Sequence, residues 1–256
     1  MLPDNIKIVI VLPAYNAAKT LNRTLDEIPQ EFRKYIILVD DASSDNTVEL
    51  AKQAGLKVFQ HERNKGYGGN QKTCYQKALE AEADIVVMLH PDHQYDAVVI
   101  PDLVWPIIRG KADAVFGSRM LGGRPLEGGM PIWKYIANVI LTALANIVFR
   151  RYLTEIHSGF RAYSRKYLQT VRYEENSNDF VFDTEIIAQG MACNLTFQEV
   201  PIVTRYFPEA SSINLWRSIL YGLGVLGVLV RYELYKSDIR YFSQFEPCDA
   251  SGNDIT

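Results

Sequence analysis

Two apolar runs in this chain stop abruptly at carboxylates. Ile36-Ile37-Leu38-Val39 ends in Asp40-Asp41, and Val86-Val87-Met88-Leu89 ends in His90-Pro91-Asp92. A buried strand that ends this way carries acids to one edge of a sheet. In open α/β sheets, ligands bind outside the carboxyl ends of the strands. Two such ends predict a nucleotide held by one and a divalent metal held by the other.

The rest of the pattern agrees with a sheet of this kind. Strands are predicted at 6–12, 35–40, 57–61, 84–89 and from Asp113 to Gly117. Helices are predicted between them, from Ala17 to Glu31, from Ser43 to Ala54, up to Ala81, and from Pro101 to Arg109. This alternation reads as βαβ units around a largely parallel sheet. A loop with four glycines follows (Gly122, Gly123, Gly128, Gly129), then a turn and strand at Ser158–Tyr163, a helix from Asp183 to Met191, and a strand from Leu195 to Val203. The expected organisation is one α/β domain over 1–212, with an apolar helical segment and polar tail over 213–256.

At 256 residues and 48% hydrophobic content, the chain can bury a full core. Its net charge of -3 gives no general attraction to nucleic acid, which is not an expected partner. Cys74, Cys193 and Cys248 form no paired framework, and no signal peptide pattern precedes the first strand. The expected location is cytoplasmic. Tyr135–Phe149 and Ser218–Val230 carry no charge, but both runs fall short of the ~20 residues that span a bilayer. They read either as buried helices or as helices lying on a membrane surface, flanked by Arg150, Arg151, Arg217, Arg231 and Lys236. The second reading places the protein peripherally on the inner face of the membrane.

Asp92 and Gln94 form a partial oxygen cage for a hard cation, which would neutralise a diphosphate leaving group. His90, two residues before Asp92, is a softer candidate ligand that would tilt preference from Mg2+ toward Mn2+. Asp40 and Asp41 are placed to accept hydrogen bonds from a base or ribose. Gly66-x-Gly68 opens a helix, and Lys65 and Lys72 beside it are candidate phosphate contacts. Gly222-x-Gly224-x-x-Gly227 matches a dinucleotide fingerprint, but it lies in an apolar helical segment without the strand that the motif requires, so helix packing or membrane contact is expected. Arg119, Arg124, Arg161 and Arg205 lie near predicted strand ends or loops and are candidate phosphate ligands.

Pro13-Ala14-Tyr15-Asn16, Val39-Asp40-Asp41-Ala42-Ser43-Ser44-Asp45-Asn46-Thr47, Asn64-Lys65-Gly66-Tyr67-Gly68 and Asp92-His93-Gln94 stand in the order seen in family 2 glycosyltransferases. Gly117-Ser118-Arg119, Ser158-Gly159-Phe160-Arg161-Ala162 and Glu199-Val200-Pro201 resemble the polyprenol-phosphate sugar synthases within that family. The resemblance implies a GT-A fold, a UDP- or GDP-sugar donor, a divalent metal and inversion by direct displacement. It implies nucleotide-sugar contacts at Pro13, Ala14, Tyr15, Asp40, Asp41, Lys65, Gly66 and Asp92. It also implies metal contacts at Asp92 and Gln94, and phosphate contacts at Arg119, Arg124 and Arg205. The sequence departs from the family at His90, where an acid is usual, and at Ala17. Asp92, Arg119, Glu155 and Asp183 are the candidate catalytic residues. A lipid-phosphate acceptor needs positioning, whereas a glycan hydroxyl needs a general base, for which Glu155, Asp183 and Glu185 are candidates. Transfer to a cell-surface glycan and non-catalytic binding of a nucleotide-sugar are the alternatives. The oligomeric state is not legible.

Overall fold

A computed structural model describes residues 3, 5–122, 125–205 and 215–247. Among these residues, seven strands form one sheet: β1 (Ile8–Ala14), β2 (Ile36–Asp40), β3 (Lys57–Gln60), β4 (Ile85–Met88), β5 (Ala114–Ser118), β6 (Arg161–Ser164) and β7 (Phe197–Pro201). Their order is β3-β2-β1-β4-β6-β5-β7. All neighbouring pairs are parallel except those of β6, which runs antiparallel to both β4 and β5. The sequence marks 158–163 only as a turn and strand; the reversed direction of β6 comes from pairing with two distant strands.

The principal helices are α1 (Leu21–Glu27), α2 (Thr47–Gln53), α3 (Tyr67–Glu80), α4 (Ile100–Ile108), α5 (Ile132–Phe149), α6 (Arg165–Thr170), α7 (Phe182–Ala192) and α8 (Leu215–Lys236). They cover both faces of the sheet, so the central strands are apolar on both sides. Val9 and Val11 of β1 join one core with α3, α7 and α8, while Ile8, Ile10 and Leu12 join the other with α1 and α4. Alternate residues point to opposite faces, so a single strand feeds both cores.

The first helix is much shorter than the predicted Ala17–Glu31. Ile28 is extended at ψ 124, as expected for a residue before proline, and Pro29 follows it. The two uncharged runs lie in longer helices, 18 residues for α5 and 22 for α8. The glycines of the 222–227 motif lie inside α8, where a Cβ on Gly224 would stand 3.1 Å from Val181 and one on Gly222 3.8 Å from Leu141. Gly224 lets α8 approach Val181 closely, while a Cβ on Gly227 would meet nothing within 4 Å, and the three do not cradle a dinucleotide. Val225, Val228, Leu229 and Tyr232 of α8 belong to the same core as Val9 and Val11.

Candidate active site

The parallel strands β1, β2 and β4 end at one edge of the sheet, and two adjoining cavities lie there. The larger, about 800 Å3, is lined by Pro13, Ala14, Tyr15, Asp41, Gly66, Tyr67, Asn70, His90 and Asp92, among others. The smaller, about 230 Å3, lies between Asp92, Gln94, Arg119 and Asp183 on one side and α5 and α8 on the other. Tyr67, His90 and Asp92 line both.

Tyr15 is exposed at the mouth of the larger cavity, where its ring is available to stack. Asp40 is fully buried beside Ala14 at the end of β2. One of its oxygens accepts the Ser43 N–H at 3.0 Å, and Oδ1 has no protein partner. Asp41 has a structural task as well. It accepts the Lys65 and Gly66 N–H groups at 2.8 and 3.0 Å and meets His61 Nδ1 at 2.7 Å. This fixes the 61–66 loop that precedes α3. Gly66 has φ +84, and a Cβ there would stand 2.7 Å from the Asn178 carbonyl oxygen. That carbonyl accepts the Gly68 and Gly69 N–H groups, so the start of α3 is closed by protein. Lys65 contributes its amide to Asp41, and Lys72 is tied to Asn176 and Asn178 and not to a phosphate site.

His90, Asp92 and Gln94 come together as the sequence predicts, but His90 is engaged. Its ring stacks on Tyr67 at 5.4 Å, and its Nε2 lies 3.3 Å from the Tyr67 hydroxyl. Burial holds the imidazole below its ordinary pKa. Only Nδ1 is left to meet a metal, which weakens the argument for Mn2+. Among the described residues, no three His, Cys, Asp or Glu side chains cluster closely enough to hold a metal alone. Asp92 and Gln94 line one cavity and supply two oxygen donors. That set suits a hard cation whose other positions are taken by phosphate oxygens.

Glu155 is not placed as a general base. It is 1% exposed and lines neither cavity. Its Oε2 accepts the Arg119 N–H at 2.7 Å, and its Oε1 accepts Arg119 Nε at 2.8 Å, Arg119 Nη2, and Asn138 Nδ2 at 2.7 Å. Burial alone would raise the carboxyl pKa, but the Arg119 charge and these hydrogen bonds hold it below the ordinary value. Glu155 therefore aims Arg119 at the smaller cavity. Asp183 does line that cavity; it accepts the Tyr67 hydroxyl at 2.8 Å and Gln71 Nε2 at 3.1 Å. Glu185 turns away and binds Ser177 N–H and Arg231.

Two predicted phosphate arginines are corrected. Arg161 is 1% exposed and donates to the Ser158, Ile156 and Asp183 carbonyl oxygens. It braces the Ser158–Arg161 turn from within. Arg205 lies outside both cavities, 2.6 Å from Glu27 and 3.7 Å from Asp96. Arg124 lies outside the described residues. The sequence reading missed Tyr67, Lys134 and His157. Lys134 and His157 line the smaller cavity, and His157 Nδ1 lies 2.6 Å from the Tyr221 hydroxyl.

The sequence model described as glycosyl transferase family 2 matches residues 9–172. An uncharacterized protein of Methanocaldococcus jannaschii is 29% identical over 90% of this chain and 93% of its own length. The UDP-N-acetylglucosamine–dolichyl-phosphate N-acetylglucosaminyltransferase of Methanococcus voltae is 30% identical over 78% of this chain and 86% of its own. Glucosyl-3-phosphoglycerate synthase of Mycobacterium tuberculosis, solved with Mn2+, UDP and glucosyl-3-phosphoglycerate, superposes with a TM-score of 0.67. It is 19% identical, and the match covers 89% of this chain and 80% of that one. The mixed sheet, the paired cavities at its edge and these matches agree: the chain belongs to glycosyl transferase family 2 and is a hexosyltransferase of GT-A fold.

Proposed function

We propose that the enzyme moves a sugar from a nucleoside-diphosphate donor to a polyprenyl phosphate, with inversion and with help from a divalent cation. The observation that carries this reading is the composition of the smaller cavity. Asp92, Arg119 and Asp183 make one side polar, while Met130, Trp133, Leu141 and Tyr221 make the other largely apolar. A phosphate on an isoprenoid chain matches both halves; a glycan matches only the first. The name of the Methanococcus voltae relative, which specifies dolichyl phosphate, supports the same acceptor class.

In this reading the nucleoside occupies the larger cavity. Its base stacks on Tyr15, while Asp40, which does not line the cavity, supports the wall from behind Ala14. Pro13, Ala14 and Gly66 form the wall. Asp92 and Gln94 would hold Mg2+ or Mn2+, which when bound neutralises the diphosphate. The acceptor phosphate, with a second pKa of about 6, is an anion near neutral pH. Arg119 and Lys134 orient it. One phosphate oxygen forms a bond to the anomeric carbon, the bond from that carbon to the donor diphosphate breaks, and the electron pair leaves with the diphosphate. No proton has to be removed. The Tyr67, Gln71 and Arg161 contacts to Asp183 fit a positioning role for that carboxylate.

The test incubates the purified chain with UDP- and GDP-sugars, Mg2+ or Mn2+, and three acceptors: a short polyprenyl phosphate, the matching polyprenol, and a soluble oligosaccharide. Transfer to the phosphate alone is expected, and it should stop with a chelator. Transfer to the oligosaccharide in preference would overturn the acceptor assignment and return Asp183 to the role of base.

A further inference from the structure

We infer that the segment Phe242–Glu246, beyond α8, is a clip that sets the donor-cavity loop 176–180, with Gln244 as its positioning residue. The inference rests on the nucleoside reading of the larger cavity for its purpose, but the contacts that carry it are independent of that reading. Residues 176–180 belong to no helix or strand, yet Ser177, Asn178, Asp179 and Phe180 line the larger cavity. The loop lies tight against the start of α3, where a Cβ on Gly68 would collide with the Ser177 carbonyl oxygen. Phe180 packs on Tyr67 at 4.6 Å, and both rings line both cavities. Movement of the loop therefore moves the wall that the two cavities share.

A segment without a backbone ladder of its own is held by side chains. Lys72 Nζ donates to Asn178 Oδ1 at 2.8 Å and to the Asn176 carbonyl oxygen, and Glu185 Oε2 accepts the Ser177 N–H at 2.6 Å. The deepest hold is on the Asn176 side chain, in a residue only 4% exposed. Its Oδ1 accepts Gln189 Nε2 and Gln244 Nε2, each at 2.8 Å, and its Nδ2 donates to Gln189 Oε1 at 3.3 Å. Both acceptor positions of that oxygen are thus filled. Gln189 belongs to α7, beside the loop, whereas Gln244 comes from 68 residues away. The clip has fastenings of its own. Phe245 is buried edge-on to Tyr232 at 5.8 Å, and the Tyr235 hydroxyl donates to Glu246 Oε1 at 2.9 Å. Arg172 Nε donates to the Glu246 carbonyl oxygen at 3.1 Å, and the Ser243 hydroxyl donates to Glu175 Oε2 at 2.9 Å. Arg172 and Glu175 immediately precede the loop, so the clip grips its entry as well as Asn176. By linkage, a nucleotide that needs the loop in place also steadies the clip.

The experiment joins hydrogen exchange of the full chain with steady-state transfer from a UDP- or GDP-sugar. Q244L removes the bond to Asn176. Y235F removes the bond to Glu246, leaves Asn176 untouched and serves as the control for general loosening. In Q244L, exchange at 176–180 and at the Gly68 and Gly69 amides should quicken about threefold to tenfold, as expected for one lost buried hydrogen bond, with β1 and β4 unchanged. The donor KM should rise by a similar factor, while kcat and the acceptor KM stay within about twofold of wild type. Y235F should leave the donor KM unchanged. Three results would overturn the proposal: wild-type exchange at 176–180 in Q244L, a donor KM that stays put when the loop loosens, or a Y235F variant that raises the donor KM as much as Q244L does. A wild-type protein that transfers no sugar from either nucleotide would remove the nucleoside reading, and exchange at 176–180 in Q244L would still decide the clip.

Discussion

The Glu155–Arg119 pair offers a sharp test of how the site is built. Glu155 is buried, and its two oxygens receive three donors from Arg119 and one from Asn138. The Arg119 side chain is only 13% exposed. Glu155→Gln removes the carboxylate charge that faces the guanidinium in a place that water barely reaches. Breaking one side of a buried pair costs about 3–5 kcal/mol. Arg119 keeps some contact with the cavity, so the lower end, about 3 kcal/mol, is expected. For a domain of this size that is a fall in melting temperature of roughly 6–12 °C. Urea unfolding at neutral pH measures it. In a double-mutant cycle, R119Q/E155Q should cost clearly less than the sum of the single variants, because no charge is stranded. The pH dependence has a defined sign. Glu155 has a lowered pKa in the fold, so its stabilisation is full above the ordinary carboxylate pKa and is lost as pH falls through the lowered value. E155Q should flatten that acid limb. An E155Q protein as stable as wild type but inactive would refute the reasoning and restore Glu155 as a base. Strict additivity in the cycle would also refute it.

Two further outcomes are expected. His157 is held neutral, its pKa lowered by burial to about 3, so protonation of the unfolded chain draws stability away as pH falls from about 6.5 toward 3. His157→Gln should remove up to about 1.4 kcal/mol per pH unit of slope in that window; an unchanged profile in denaturant titrations would count against a buried neutral histidine. In Gly159→Ala the new Cβ would stand 2.6 Å from His90 Nε2 and 3.1 Å from the Tyr67 hydroxyl. The His90–Tyr67 stack must then shift, at a cost of about 1–3 kcal/mol. Steady-state transfer should fall while far-ultraviolet dichroism stays native, and full activity would show that the stack does not position the site.

The strand ends were readable because apolar runs and the acids that stop them are local patterns. Asp92 lies at the cavity for that reason, whereas Tyr15 was indicated by the family resemblance and Gly66 by the glycine turn that opens a helix. What each acid does was not readable, because its partners come from distant parts of the chain. Asp41 meets His61, Glu155 meets Arg119, and Asp183 meets Tyr67 across 116 residues. The arginines show the same limit. Arg161 begins a strand, as the motif suggests, but that strand lies between two others under covering helices, so its side chain points into protein. Tyr67 was hidden by its setting between glycines, where the sequence reads as a turn. The exposed apolar faces of α5 and α8 were half visible: an uncharged run shows only that no face of a helix carries charge, and only the packed structure shows that α5 turns Asn138 and Thr142 inward and leaves Ile140 and Ile147 exposed.

The reversed strand β6 also dictates an order of assembly. The first four strands, from Ile8 to Met88, pair with one another, β4 alone among them also pairing with β6, and all four leave the ribosome early. The next to emerge, β5, has no partner among them, because β4 and β5 are joined only through β6. The chain must be made as far as Ser164 before that slot is filled, so β4 and β5 wait as open edges while the apolar α5 is already synthesised. Unpaired edges beside exposed apolar helix are the species most prone to aggregate. Any chain shortened before 161 would keep both edges permanently, so the aggregation threshold of such fragments during synthesis should fall between β5 and β6.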